Sequence, residues 1–295
     1  MIKNIGILSP GNMGAAVGRH FKTAGYEIVT TLKGRSEYTK RKAKKEGFRD
    51  VKTLDVLVDE VDLILSILDP GKARSVAYQV SQAIKATGSK PIYADCNAIS
   101  PRTAKELQVL IENEGGTFVD VGIIGGAPTR RDNFPNFCIS GPKALRLEEL
   151  DGKGIKIKYI GPDVGQGSAI KICNGAYNKG AFALYATVML AAEHYGFTEF
   201  LRERLPRSQA ANIERLDEAL IRLPTLSERY VGKMEQVSET FSSIGLTPNM
   251  HKGAADLFEM LSGSPLASQR RDEIDPQRTS AETLKVLAEQ FERDS

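Results

Sequence analysis

Ile5-Gly6-Ile7-Leu8-Ser9-Pro10-Gly11-Asn12-Met13-Gly14 is the stretch whose reading decides the fold. A short apolar run reads as a strand, a turn of small residues follows it, and from Asn12 onward the spacing becomes that of an amphipathic helix. Strand, glycine turn and helix in that order make the βα turn that holds a dinucleotide pyrophosphate. In such a turn Gly11 lets the backbone approach the phosphates, Gly14 lets helix and strand pack closely, and the helix N-terminus faces the negative charge. Ser9 stands where the first glycine of G-x-G-x-x-G normally stands, so the motif is degenerate. Together with Pro10, Asn12 and Met13 it forms the expected cofactor loop. A lone turn of this kind has many explanations, and its weight comes from opening an α/β pattern.

That pattern continues outward. Strand-like runs cover Ile2 to Leu8, Tyr26 to Leu32, Val61 to Leu68, Pro91 to Cys96, Thr117 to Val121, Asn136 to Ser140 and Ile155 to Ile160. Helix-like segments begin near Asn12, Ser36, Thr53, Gly71, Pro101 and Lys143, and Ser100-Pro101 is a cap followed by proline at the first helical position. Alternation of this kind predicts a parallel, doubly wound α/β sheet, a Rossmann domain over residues 1–161. After Gly161-Pro162 the strand signal stops. Helices are expected over Val164 to Tyr195, Glu199 to Arg204, Ser208 to Leu220, Ser227 to Ile244, Met250 to Ser262 and Ser280 to Arg293, which makes 162–295 an all-α domain.

The end of the second expected strand, Thr30-Thr31-Leu32-Lys33-Gly34-Arg35-Ser36, carries no carboxylate for a ribose 2′-hydroxyl. Arg35 and Ser36 instead offer donors to a 2′-phosphate, which favours NADP over NAD. Leu68, which ends the strand expected over Val61 to Leu68, and Asp69 just after it are candidates on the same cofactor side. Asn97, just past Cys96, is placed to meet nicotinamide ribose or substrate.

Bulk properties exclude several classes. The chain has 295 residues, 41% hydrophobic, enough for sizeable cores. Forty basic against thirty-seven acidic residues leave +3, too small and too dispersed for a nucleic-acid or anionic-membrane partner, and Lys40 to Lys45 reads as a solvated helix face. The longest apolar stretch, Ala181 to Ala192, ends at Glu193 and His194, short of the roughly 18 residues that cross a bilayer. The N-terminus runs straight into a strand without a charged leader, and a cytoplasmic protein is expected. Cys96, Cys138 and Cys173 form no C-x-x-C pair, and His20, His194 and His251 lack ligand spacing, so no metal is expected.

Four segments then carry a resemblance: Gly11-Asn12-Met13-Gly14; Asp95 to Pro101; Asp120-Val121-Gly122-Ile123-Ile124-Gly125-Gly126; and Gly165-Gln166-Gly167-Ser168-Ala169-Ile170-Lys171-Ile172-Cys173-Asn174. In this order and at these separations the chain resembles the β-hydroxyacid dehydrogenases and 6-phosphogluconate dehydrogenase, in the branch with an uncharacterised C-terminal helical domain. The resemblance covers residues 1 to about 180 well. It implies that Lys171 is the general acid/base toward the substrate oxygen, that Ile124, Gly125 and Gly126 form a substrate loop, and that the protein is a homodimer joined through its helical domains. Lys171, Asn174 and Asn178 fall at i, i+3 and i+7, one face of a helix.

Two positions depart from the family. Four residues after the lysine the family has asparagine where this chain has Gly175, leaving Asn174 to take that role with shifted geometry. Ile124 replaces the serine that often precedes the two glycines. With Tyr177-Asn178-Lys179-Gly180 and Arg229-Tyr230-Val231-Gly232-Lys233-Met234-Glu235, the chain looks more like relatives of unassigned substrate. Arg229 and Lys233, four apart, either supply a substrate anion site or form a solvated face. Cys173 reads as a core residue.

The function expected is hydride transfer between NADP and a carbonyl or hydroxy compound, the substrate being a small molecule. An imine (C=N) reductase of the same domain order is the alternative, and a non-catalytic NADP-binding sensor is the reading from a different class.

Overall fold

The computed structural model describes residues 1–128, 134–270 and 273–293, with the side chains of 206–211 and 291–293 outside that description. The strands are β1 (Asn4–Leu8), β2 (Glu27–Thr30), β3 (Arg49–Asp50), β4 (Leu63–Ser66), β5 (Ile92–Asp95), β6 (Thr117–Ile124), β7 (Asn136–Ser140) and β8 (Lys156–Gly161). They form one sheet in the order β3-β2-β1-β4-β5-β6-β7-β8. Strands β1 to β6 run parallel, and β7 turns back antiparallel to β6 with β8 parallel to it. The fold class is the expected α/β Rossmann arrangement followed by helices, although the parallel expectation fails beyond β6. No helix lies between β6 and β7 among the described residues, so the chain makes a direct return rather than a crossover.

Both faces of the sheet are covered, and period-2 alternation divides its side chains between two cores. Ile5, Ile7, Leu63, Leu65, Ala94 and Val119 join Val17 and Phe21 on one face. Val29, Ile64, Tyr93 and Phe118 join Leu57, Val80 and Leu107 on the other. The helices of this layer are α1 (Asn12–Thr23), α2 (Glu37–Glu46), α3 (Leu54–Glu60), α4 (Ala73–Thr87) and α5 (Pro101–Glu112). The Ser36, Thr53 and Ser100 side chains accept the Thr39, Val56 and Thr103 amides and start α2, α3 and α5. The expected helix near Lys143 is a 3-10 turn, Ala144–Leu150.

The remaining helices are α6 (Gln166–His194), α7 (Thr198–Arg204), α8 (Pro206–Ser242), α9 (Asn249–Ser262) and α10 (Ser280–Arg293). Three details correct the sequence reading. β3 is an added edge strand, too short and too exposed to leave a periodic signal. β6 extends past Val121 to Ile124 because β7 pairs along its whole length. The two helices expected over Ser208 to Ile244 are one, with Pro224 inside it. Buried Leu216, Leu220, Leu223, Ser227 and Met234 keep helical spacing across the proline, and that packing against neighbouring helices outweighs the lost hydrogen bond.

The chain gathers into two compact units, Met1–Ile172 and Cys173–Ser295. The first turns of α6 therefore belong with the sheet. Among the described residues no helix is long and apolar enough to cross a membrane.

Candidate active site

β1 and β4 are neighbours, while the chain between them first runs outward to β2 and β3. That reversal of strand order opens a crevice at the carboxyl ends of β1 and β4, the usual ligand position in such sheets. Ser9 leaves β1 with φ at +63°, a left-handed conformation that glycine adopts far more readily. It costs roughly 1 kcal/mol for a residue with a Cβ, and it lets the Gly11 amide fold back onto the Ser9 carbonyl at 2.7 Å. A Cβ on Gly14 would stand 3.1 Å from Ile7 Cγ2, a contact tight enough that helix and strand would have to give by a few tenths of an ångström. One on Gly11 would meet nothing nearer than 3.9 Å, so packing within the chain does not demand it. The space is open toward a ligand. No side chain caps α1, and its first turn holds no acid, which leaves its leading amides and positive end to an anion. Asn12 accepts the Tyr38 hydroxyl at this edge.

After β2, a turn closes from the Arg35 amide to the Leu32 carbonyl at 3.1 Å. Arg35 is half-buried, and burial pulls its guanidinium down from its ordinary value; arginine nonetheless stays charged. Ser36 accepts the Thr39 amide as the cap of α2.

The loops after β4 and β5 are tied together by Asn97. Its Oδ1 accepts the Leu68 amide at 2.7 Å, and its Nδ2 donates to Ser66 Oγ at 3.0 Å and Asp95 Oδ2 at 2.9 Å. With every amide position engaged and the residue 2% exposed, the side chain builds the loop instead of facing a ligand. Asp69 likewise accepts the Gly71 amide at 2.9 Å and starts the short 3-10 turn before α4. Asp95 is buried beneath this loop. Burial, then the nearby Asp120 charge, push its carboxyl up to about 7, against the pull of the Asn97 hydrogen bonds and Lys171.

Lys171 reaches the same place from α6, its ammonium donating to the Cys96 carbonyl at 3.0 Å. What aims it is the start of its helix. Asp120, fully buried in β6, accepts the Gly165 and Ser168 amides at 2.9 Å each, Ser140 Oγ at 3.0 Å and Ser168 Oγ at 2.6 Å. Gly167 donates its amide to Ser140 Oγ at 2.9 Å. Helix and strand touch backbone to backbone: a Cβ on Gly122 would fall 2.0 Å from the Gly167 carbonyl oxygen and 3.2 Å from Lys171 Cβ. The motif Asp120 to Gly122 thus acts as a socket for α6. Sequence reasoning quoted Asp120 without giving it a role, although a lone acid inside Phe118-Val119-Asp120-Val121 was the available signal. Ile124 ends β6 and Gly125 follows it with φ at +118°; Gly126 is exposed.

The other expected residues belong to the helical unit. Asn174 is exposed, and its carbonyl accepts Asn178 Nδ2 at 2.8 Å; Asn178 Oδ1 in turn accepts Arg215 at 2.8 Å. Arg229 is exposed. Cys173 is exposed too, correcting its reading as a core residue: the buried positions of this part of α6 are Ile172, Ala176, Ala183, Tyr185 and Ala186.

A crevice at the strand-order reversal, an uncapped helix start beneath a glycine turn, and a lysine held at the sheet edge define a dinucleotide-binding α/β protein with a helical unit attached. Residues 4–148 match the NAD binding domain of 6-phosphogluconate dehydrogenase, and residues 192–261 match a domain of unknown function. The chain belongs to the β-hydroxyacid dehydrogenase and 6-phosphogluconate dehydrogenase-like family, whose cofactor is a nicotinamide dinucleotide. It is 30% identical to an uncharacterised 28.5 kDa protein of Methanothermus fervidus over 86% of this chain and 97% of that one. A solved structure of a conserved protein of unknown function, described as similar to 3-hydroxyacid dehydrogenases, shares 28% identity with a TM-score of 0.70, covering 88% of this chain and 96% of that one. The mitochondrial 3-hydroxyisobutyrate dehydrogenase of Drosophila melanogaster is 26% identical over 72% of this chain, and the match spans 61% of that enzyme. An imine reductase of Streptomyces aurantiacus, 16% identical over 97% of this chain and 99% of that one with a TM-score of 0.56, shares the fold.

Proposed function

We propose that this chain is an NADP-dependent oxidoreductase acting on a carbonyl or hydroxy compound of the hydroxyacid type, with Lys171 as the general acid/base. The observation that carries the reading is the Lys171 ammonium, 3.0 Å from the Cys96 carbonyl at the carboxyl end of β5 and on a helix whose start is pinned by Asp120. The nicotinamide, when bound, supplies or accepts the hydride. Reduction of a C=O also needs one proton at the oxygen, and a lysine anchored at a sheet edge can deliver it, or withdraw it in the reverse direction. Holding that ammonium on a carbonyl limits its rotamers and so reduces the entropy lost on meeting a substrate oxygen.

The residues fit the cofactor. Ser9 to Gly14 and the open end of α1 hold the pyrophosphate, Arg35 meets the 2′-phosphate with Ser36 beside it, and the Leu68–Asp69 and Asn97 loops shape the floor. Gly125 and Gly126 offer backbone to the substrate. A non-catalytic NADP sensor would share the turn and Arg35 but has no use for a lysine fixed at the strand ends. A homodimer is part of the proposal, supported by the exposed Tyr177, Leu184 and Val188 along α6.

The test has two arms. Titration with NADPH and NADH is expected to favour NADPH, with about a tenfold loss in Arg35→Ala; no binding of either would remove the reading. Lys171→Ala is expected to lower turnover of the accepted substrate by roughly 10²–10⁴ with NADPH affinity retained, whereas unchanged turnover would favour imine reduction.

A further inference from the structure

The family's asparagine position is Gly175 in this chain, and the structure places another group there. Lys179, one turn further along α6, brings its Nζ to 3.6 Å from where a Cβ on Gly175 would stand. The same Nζ lies 5.3 Å from the centroid of the Tyr230 ring, and the Lys233 Nζ lies 5.3 Å from that centroid as well. The two segments that set this chain apart, Tyr177 to Gly180 and Arg229 to Glu235, thus converge on one aromatic ring within the helical unit.

We propose that Lys179, with Lys233 at the same Tyr230 ring, is the carboxylate-binding group of this protein, standing in for the missing asparagine. The proposal rests on the oxidoreductase reading only in identifying that carboxylate as the substrate's. A carboxylate beside the ring is attracted by both ammonium groups. Lys179 makes no ion pair among the described residues. Burial also draws its ammonium below the ordinary lysine value, and a bound carboxylate would offset this by favouring the charged form. Asparagine would offer a neutral amide at this point, and a lysine turns it into a selector for anions. Tyr230 also lines a cleft of about 250 Å³ with Phe182, Leu223, Leu226, Arg215, Arg222 and Glu218, whose apolar side chains leave room for a short apolar chain next to the ring.

The test needs neither cofactor nor turnover. The full-length protein is reductively methylated with ¹³C-formaldehyde, the Lys179 signal is assigned by its loss in Lys179→Arg, and acetate, butyrate and inorganic phosphate are each titrated against a sodium chloride control. Acetate and butyrate are expected to move that signal beyond the chloride control and to saturate, butyrate binding more tightly, with affinity falling about tenfold in Lys233→Met. Gly175→Asn is expected to displace the Lys179 signal and weaken binding similarly, its thermal melting confirming that it is folded. A signal that moves no further with any of the three than with chloride overturns the proposal. Movement with phosphate alone overturns the carboxylate assignment, and indifference of the signal to Gly175→Asn overturns the placement. Should NADPH fail to bind, the oxidoreductase reading falls while these results stand.

Discussion

The starts of α1 and α6 pose the same electrostatic problem and receive opposite solutions. Each presents uncompensated amides and the positive end of a helix to the carboxyl side of one sheet. At α6 the chain supplies its own anion: Asp120 takes two amides and two hydroxyls, and Ser140 takes a third amide. At α1 the described residues supply none, and the glycine at the cap has open space in front of it. The difference teaches how to tell a structural helix start from a ligand-binding one. Where a buried carboxylate already sits, the helix is fastened; where only glycine and uncapped amides remain, the counter-ion has to come from outside.

Breaking the α6 side has the largest expected effect. Asp120→Ala leaves four buried donors without an acceptor, and urea denaturation is expected to show a loss of about 4 kcal/mol; a loss below about 1 kcal/mol would mean the socket is not what holds α6. Gly122→Ala drives a methyl into the Gly167 carbonyl and is expected to cost about 3 kcal/mol by the same measurement. Turnover should fall with it because Lys171 moves with the helix.

A third prediction contrasts the two acids. Asp120 has four donors, Asp95 only the two of Asn97, and the Asp95 carboxyl stands at about 7 in the folded protein. A carboxyl raised above its unfolded value of about 4 holds its proton longer in the native state. Stability is therefore expected to decline as pH rises from about 4 to about 7 and to level off above that. Asp95→Asn should flatten that slope, and an equal slope in the variant would assign the titration to other groups.

The smallest effect belongs to the open side. Asn12→Asp puts a carboxylate in the first turn of α1, where the helix end favours it. Thermal stability should hold or rise slightly, while NADPH affinity falls by about 1 kcal/mol, read by fluorescence titration. A variant that binds NADPH as well as the parent would move the pyrophosphate away from α1.

Much of the fold was legible because its signals are local. Ser36, Thr53 and Ser100 announce helix starts by a side chain and an amide three residues apart. β3 left no trace, since Arg49 and Asp50 are both exposed and only pairing with β2 makes them a strand. The two helices expected over Ser208 to Ile244 are joined across Pro224 by packing that no local signal records. Within the candidate site the glycine turn, Arg35 and Lys171 were readable from residue type and order. Asn97 and Asp69 were named for a ligand, and the structure spends their side chains on the loops themselves.

The sequence alone determined the βα turn at Ser9 to Gly14, the succession of buried strands and capped helices, the family, and the lysine on its helix. These depend on residue periodicity and short-range hydrogen bonds. Only the tertiary structure decided which polar groups are consumed inside the protein and which remain for a ligand. Asp120 meets partners 20 to 48 residues away, and Lys171 reaches a carbonyl 75 residues back. Lys179 and Lys233 meet on one ring only because α6 and α8 pack together. A buried polar group takes the partner that packing brings to it, and no spacing within a single element encodes that choice.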